Sequence, residues 1–421
     1  MPAIDATGNS SGRDTVRLAY LVSHPIQYQA PLLRRIAQEP DIDFTVLFGS
    51  DFSVRGYKDH GFGVEVRWDV PLLEGYRSAF LPRLRDTGTV SALSPISRSI
   101  LRRLRNRDGS AAFDALWVHG YASINALHGI LAANALGIPV LLRAESWLAD
   151  RPRNVATLAA KQLFLRLLRP AIAATLPIGT RNREYWAHYF GAEMPQFLMP
   201  YAVDNGWFAQ RAAAGDIEAI RQELGLTPGR PVILFASKLQ PRKHADHLLE
   251  AYARFCAAAR GPLPYLLIAG DGEQRVALES RARELGIEGV RFLGFRNQTE
   301  LPGLFALADV FVLPSRHEPW GLIVNEAMAA GCAMITSADV GAHADLISDG
   351  VEGFVFPTGD IDALTRALER VLSSPEQARR MGEAAKRRVE GWDFDADVRG
   401  LRAALVRVTG KLSKQPQLPN S

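Results

Sequence analysis

Residues 313–331, LPSRHEPWGLIVNEAMAAG, decide the fold. The stretch begins in an apolar run, DVFVLPS (309–315), that reads as a buried strand. It ends in an Ala-, Met- and Glu-rich run that reads as a helix. Between them stand Glu318, Pro319, Trp320 and Gly321. A strand that enters a loop and then a helix start makes an anion site, because unpaired backbone N–H groups and the helix dipole point into the loop. The N–H groups near Leu322 and Ile323 are the ones so placed. Two carboxylates flank the turn, Glu318 in the loop and Glu326 about one helical turn in. Carboxylates touching a phosphate would repel it, so they fit better as acceptors for sugar hydroxyls. The stretch therefore predicts a ligand with both phosphate and sugar parts.

Outward from it, the C-terminal half alternates apolar and helical runs. PVILFAS (231–237), LLIAGDGE (266–273) and VRFLGF (290–295) precede the quoted stretch, and 360–409 reads as helical. Strand–helix alternation at this spacing predicts a parallel sheet of βαβ units. The first of these strands runs into KLQPRK (238–243), where Lys238 and Lys243 stand five residues apart with Arg242 beside them. They read either as diphosphate ligands or as solvated lysines. Gly270-Asp271-Gly272 is no dinucleotide fingerprint, because GxGxxG fails, and Asp271 belongs to no Asp-x-Asp pair.

The N-terminal half follows the same logic. VRLAYLVS (16–23) is a strand, and a helix begins at Pro31, with SHPIQYQAP between them. In a doubly wound sheet the loop after the first strand lies at the carboxyl ends, where ligands bind. That places His24, Gln27 and Tyr28 on the acceptor side, with His24 either a polar contact or a packed, capping histidine. DFTVLFG (43–49) is a second strand. Two more end in His119 and in Arg143-Ala-Glu145-Ser, so Arg143 and Glu145 are expected to be exposed to the cleft, touching the acceptor or each other. AATLPI (173–178) and FLMPYAV (197–203) are expected to complete the sheet, and 204–230 to hold the interdomain connection. Residues 51–90, with Tyr57, Phe62, Trp68 and Tyr76, are expected to form acceptor-side loops. Residues 115–142 lack Asp, Glu, Lys and Arg, but His119, Asn125, His128, Asn134 and Pro139 interrupt them, so they read as a buried strand–helix–strand unit rather than a membrane span.

These residues together resemble the Glu-x7-Glu motif of the retaining family-4 glycosyltransferases, which have the GT-B fold. Glu318 and Glu326 match its two glutamates, Trp320 and Gly321 stand where the family usually has an aromatic and a glycine, and EAMAAG (326–331) matches nearly letter for letter. The resemblance runs through most of 231–391 and more loosely over the N-terminal half. It implies an α/β architecture of two Rossmann-like, doubly wound parallel-sheet domains facing each other across a cleft. The acceptor-binding domain would span 15–205 and the donor-binding domain 206–392. A last helix, 393–410, would cross back to the first domain, between disordered ends at 1–14 and 411–421. Lys238 and Lys243 stand where the family has an Arg-x4-Lys pair on the nucleotide diphosphate, and His119 resembles the family histidine near the donor sugar. Gly294 and Phe295 resemble the segment that carries the base. The resemblance thus implies a catalytic set of Lys238, Lys243, Glu318 and His119. It implies a donor site of Gly294, Phe295, Trp320, Gly321, Leu322, Ile323 and Glu326.

Several positions depart from the pattern. Lys238 keeps the charge of the family arginine but loses its bidentate fork. His244 replaces a glycine, the HPIQY turn replaces a glycine-rich one, and Tyr201 and Ala202 interrupt the usual Pro-Asn-Gly-Val-Asp. VGAHAD (340–345) carries Ala and Asp in a Gly-Gly-x-x-Glu turn, and Ala333 stands where a proline is common.

The chain has 421 residues, enough for two domains with a core each. Its net charge of +4 is uneven: residues 1–208 carry 23 Lys+Arg and 18 Asp+Glu, and the remainder 26 and 27. The mildly basic half fits an anionic acceptor, a membrane surface or a solvated face, and no nucleic-acid partner is expected. The basic segment 98–107 reads as an ordinary surface helix or as one lying on anionic lipid. Cys256 and Cys332 form no disulfide framework and no metal-site spacing, the start lacks an apolar signal region, and a cytoplasmic or peripheral inner-membrane setting is expected. The resulting expectation is transfer of a sugar from a UDP- or GDP-sugar to a hydroxyl of a glycan, lipid-linked or small-molecule acceptor. The configuration would be retained, and neither metal nor cofactor would be needed. A sugar-nucleotide epimerase of the same fold and a non-catalytic nucleotide-sugar-binding protein are the alternatives.

Overall fold

The computed structural model describes residues 15–412 apart from 59, 60, 62, 64 and 260. The expectations for 1–14, for Phe62 and for 413–421 therefore lie outside the described residues. Lys411 and Leu412 are not loose: Lys411 Nζ lies 2.9 Å from Asp114, and Leu412 is buried.

The first sheet contains β1 (Val16–Val22), β2 (Ile42–Phe48), β3 (Arg77–Phe80), β4 (Ala115–His119), β5 (Val140–Arg143) and β6 (Ala174–Thr175). Its strands are all parallel, in the order β6-β5-β4-β1-β2-β3. The second sheet contains β7 (Val232–Ala236), β8 (Tyr265–Ala269), β9 (Val290–Gly294), β10 (Val310–Leu313), β11 (Ala333–Ser337) and β12 (Gly353–Phe356). It too is parallel, ordered β9-β8-β7-β10-β11-β12. The two expected doubly wound sheets are present, and each has the strand order of a dinucleotide-binding fold.

The interior strands are largely apolar because helices cover both faces, whereas the edge strand β3 (RSAF) is mostly exposed. Along β7, Val232, Leu234 and Ala236 enter one core and Ile233 and Phe235 the other, as a period of two requires. Each fully buried Leu, Ile or Phe contributes about 1.5–3 kcal/mol, so repeating the pattern strand after strand gives each sheet its own core.

The helices that matter here are α1 (Ala30–Ala37), α2 (Ile100–Leu104), α3 (Ile124–Ala135), α4 (Val155–Leu168), α5 (Thr180–Phe190), α6 (Ala245–Ala258), α7 (Ile323–Ala330) and α8 (Phe394–Thr409). α8 buries Val398, Leu401, Ala404 and Leu405 in the core that also holds Leu18 and Tyr20 of β1. Arg402 fastens it there, 2.7 Å from Glu39 and 2.6 Å from Asp41. α2 turns Ile100 and Leu104 inward and its arginines outward. No helix among the described residues is long and apolar enough to cross a membrane.

One expectation is corrected. Residues 197–203 form no strand: Pro195 and Pro200 remove backbone donors, and the segment follows β6 through separate bonds such as Phe197 N to Thr175 O (3.0 Å). The segment 204–230 folds into helices Asn205–Ala214 and Ile217–Glu223, each N-capped by an aspartate, Asp204 and Asp216.

Candidate active site

In each sheet the strand order reverses at one place, between β1 and β4 and between β7 and β10. Loops leaving the carboxyl ends there part to opposite faces and open a crevice. All the sequence-predicted polar residues of the cleft lie on or beside such loops.

On the second sheet, the chain leaves β7 into a single tight turn, Pro241–Lys243. Arg316 N donates to Arg242 O at 2.7 Å, tying this turn to the loop after β10. Lys243 is buried, and its Nζ donates to the Glu318 carboxylate; Arg242 Nη1 lies 3.5 Å from the same oxygen. Burial depresses the Lys243 ammonium, the nearby charges of Arg242 and Lys238 add to this, and Glu318 opposes it.

The EPWG turn is held from below. Gly341 N donates to Glu318 O and Ala342 N to Trp320 O, both at 3.0 Å. A Cβ on Gly341 would stand 2.0 Å from Pro319 O, so only glycine allows this approach. Gly321, at φ +90°, then turns the chain into α7, whose start no side chain caps. Glu326 lies one turn in. It is 8% exposed, its carboxyl makes no hydrogen bond or ion pair with any described residue, and burial pushes that carboxyl up to about 8.

Trp320 corrects an expectation. It is 3% exposed, stacks on Trp392 (5.5 Å, 12°) and donates Nε1–H to Asn325 Oδ1 at 2.9 Å. Asn325 in turn donates to Tyr201 O at 3.0 Å. Trp320 is thus a spacer in the interdomain core and has no surface to offer a donor. Gly294, at φ +71°, accepts from Gly270 N at 2.7 Å, and Phe295 follows it, half-buried, at the end of β9.

The first sheet supplies a polar network at the ends of β4 and β5. Tyr20 OH donates to Gln29 Oε1 (2.7 Å), which leaves Gln29 Nε2 to face His119 Nδ1 at 3.3 Å. Nδ1 is then an acceptor, so the proton sits on Nε2, 3.6 Å from Glu145. Glu145 also accepts from Tyr201 OH, which in turn accepts from Tyr28 OH at 2.7 Å; Tyr28 OH lies 3.4 Å from the same carboxylate oxygen. Burial alone would raise Glu145, but the His119 and Tyr201 bonds and the Arg143 charge outweigh it and hold the carboxyl below its usual value. His24 stacks on Phe52 at 4.5 Å and meets Ser23 Oγ at 2.9 Å; burial, then the charge of His119, lowers it to about 4, so it is neutral at pH 7. Gln27 is half-buried.

Arg143 is the second correction. It was expected at the cleft surface beside Glu145, yet it is 1% exposed. Its guanidinium bonds Met199 O (3.0 Å), Pro200 O (2.9 Å) and Asp397 of α8 (3.2 Å). The reason is the crossing helix, which covers this strand end.

Sequence reasoning missed Gln29 and Tyr201 as polar partners. Gln29 stands just past the HPIQY run, and Tyr201 was visible only as a departure from the family pattern. It also missed His244, Asp246 and His247, whose possible ligand atoms all lie within 4.8 Å of one another beside Lys243. Neither ring nitrogen of His244 has a hydrogen-bond partner. Two imidazoles and a carboxylate suit a transition ion better than magnesium. A cavity of about 500 Å³ lined by Arg211, Ile220, Leu224, Arg296 and Thr299 lies outside these strand ends and includes none of the residues above.

Fold and site together define a GT-B protein with a nucleotide-type crevice on its second sheet. Comparison agrees. Sucrose-phosphate synthase from Thermosynechococcus elongatus has the same fold (TM-score 0.69, 17% identity, 94% of this chain and 99% of that one). So does Anabaena Alr3699/HepE, in a crystal structure with UDP and glucose (TM-score 0.69, 18%, 93% and 99%). Residues 216–388 match the model for glycosyl transferases group 1. The alpha-D-kanosaminyltransferase of Streptomyces kanamyceticus is 30% identical over 299 residues, 68% of this chain and 76% of that protein. The D-inositol 3-phosphate glycosyltransferase of Nocardia farcinica is 34% identical over 205 residues, 47% of this chain but only 45% of its own length. The chain belongs to the group 1 glycosyl transferases.

Proposed function

We propose that the protein transfers a sugar from a nucleoside-diphosphate donor to an acceptor hydroxyl with retention of configuration, using the Glu-x7-Glu pair Glu318 and Glu326. The observation that carries this reading is Glu326: a buried carboxylate without a side-chain partner among the described residues, one helical turn past the start of α7, fits the paired hydroxyls of a ribose. Lys243, Lys238 and the start of α7 at Leu322 and Ile323 receive the diphosphate, with Arg242 as a further cation. Glu318 accepts from a hydroxyl of the transferred sugar, and Lys243 exchanges its Glu318 contact for phosphate. Gly294 and Phe295 carry the base. His119, its Nε2–H set by Gln29, lies on the sugar side, and Tyr28, Gln27 and Glu145 on the acceptor side.

No side chain is placed as a covalent nucleophile, since Glu318 is engaged by a hydroxyl of the transferred sugar and Glu145 is held by Tyr201 and His119. The acceptor therefore attacks from the face that the diphosphate leaves, through an oxocarbenium-like state. The enzyme's main work is to stabilise charge growing on the leaving phosphate, by charge-assisted hydrogen bonds in a water-poor crevice. Cations supply that countercharge, so the reaction needs no metal. The relatives support the donor class: HepE has been crystallised with UDP-glucose. The acceptor belongs to glycan, glycolipid or polysaccharide synthesis.

A panel of UDP- and GDP-sugars screened by thermal shift, then incubated with and without acceptor extracts, tests the proposal. Anomeric proton couplings of the product read the stereochemistry. A retained linkage formed only with acceptor is expected. An epimerised donor formed without acceptor would put an epimerase in its place.

A further inference from the structure

We propose that α4 is a membrane-docking helix that rests on an anionic lipid surface. Its amphipathicity is inverted. Only Leu165 and Leu168 of its fourteen residues are buried, with Lys161 and Phe164 half-buried beside them. At 100° per residue these four define the inward face, and the opposite face carries Ala156, Ala159, Ala160, Leu163 and Leu167. Leu163 is 60% exposed, Leu167 71%, and Val155 at the first turn 83%. A surface helix ordinarily turns its charged residues to water and its aliphatic ones to the core. Here leucines are left outside with none of the described residues covering them.

The charge around the face says what covers it. From Arg151 to Arg183 there are seven Lys and Arg and no Asp or Glu. Arg151, just ahead of the helix, and Arg166, within its outward face, are exposed, so cations stand among the exposed aliphatic residues, a pattern that fits a helix lying in an anionic interface. A second copy of the chain is a poor occupant. A two-fold contact through this face would set its cations against their own copies, with Asp150 already paired to Arg153. The position suits a transferase working on a lipid-anchored acceptor: α4 follows β5 through the loop 144–154, which begins beside Glu145 of the cleft network. The docking claim itself does not depend on the proposed chemistry.

The test is sedimentation of the full chain with vesicles of phosphatidylcholine alone and of phosphatidylcholine mixed with phosphatidylglycerol, at low and high salt. The wild type is expected to bind the mixed vesicles, to bind the neutral ones more weakly, and to release as salt rises. Leu163→Gln/Leu167→Gln should lower binding at least about tenfold. Arg166→Gln should lower it about fivefold at low salt. Circular dichroism and calorimetric nucleotide binding should stay at wild-type values in each variant, because none of these residues touches the crevice. Equal sedimentation of wild type and the double leucine variant overturns the proposal, as does absence of binding to anionic vesicles. Light scattering that finds a wild-type dimer and a monomeric double variant also overturns it, since the face is then a self-association surface.

Discussion

Arg143 Nη2 lies 3.2 Å from Asp397 Oδ1, with both side chains out of water, joining the end of β5 to α8 across 254 residues of chain. This pair, and not an acceptor, is what Arg143 serves. Removing one partner of a buried pair leaves an uncompensated charge and costs about 3–5 kcal/mol. Asp397→Ala should therefore lower unfolding stability by that amount in urea melts, whereas Arg143→Leu/Asp397→Leu should recover much of it. A near-neutral Asp397→Ala accompanied by a raised acceptor KM in Arg143→Lys would return Arg143 to the acceptor site.

Glu326 should make donor binding depend on pH. Burial holds its carboxyl at about 8 against an ordinary 4.5. Ribose hydroxyls donate to the ionised form, so nucleotide affinity should rise as pH goes from 6 to 8, with release of a proton near neutrality. The sign for folding is opposite. The folded state keeps a proton that the unfolded chain has lost, so this group's contribution is full below 4.5 and disappears as pH rises through about 8. Glu326→Gln should flatten both slopes. Calorimetry in two buffers of different ionisation enthalpy reads the proton; equal apparent enthalpies in both would remove the role.

Lys243 should matter most in the transition state. A contact that strengthens as charge grows on the leaving phosphate lowers the barrier more than it tightens the ground state. Losing one such donor costs about 3–4 kcal/mol, so Lys243→Ala should cut kcat roughly 10²–10³-fold. Lys238→Arg should be tolerated. A kcat within a few-fold of wild type in a folded Lys243→Ala would make Lys243 a structural lysine.

Turnover should persist in excess chelator, because lysines and the α7 start carry the countercharge. Full loss with EDTA, restored by Mg²⁺ or Mn²⁺, would move the chemistry onto a metal. Loss restored only by Zn²⁺ and abolished in His244→Ala/His247→Ala would place that metal on the histidine cluster beside Lys243.

Much of this was legible before any coordinates. Strand–helix alternation gives two parallel sheets, and the loop position of Glu318 and the helix position of Glu326 follow from residue types alone. What failed was anything set by distant packing. Trp320 sits in the turn beside Glu318, and the resemblance puts it in the donor site, but Trp392 and Asn325 draw it into the core. Arg143 ends a strand at the cleft, and only α8, far along the chain, hides it. The 197–203 run is apolar enough for a strand, yet its prolines break the ladder. Gln29 could not be read as the residue that sets the His119 tautomer, because that depends on Tyr20 meeting its other end.

The central claim is that the second sheet carries a donor site in which Glu326 holds the ribose and Lys243 the diphosphate. Titration calorimetry of wild type, Glu326→Gln and Lys243→Ala, each with UDP, GDP and the bare nucleosides, tests it most directly. A lost hydrogen bond to a charged group costs about 1.5–3 kcal/mol, or roughly tenfold to a hundredfold in affinity. Glu326→Gln should weaken diphosphate and nucleoside alike by that factor, and Lys243→Ala should weaken only the diphosphate. Wild-type affinities in both variants would contradict the account.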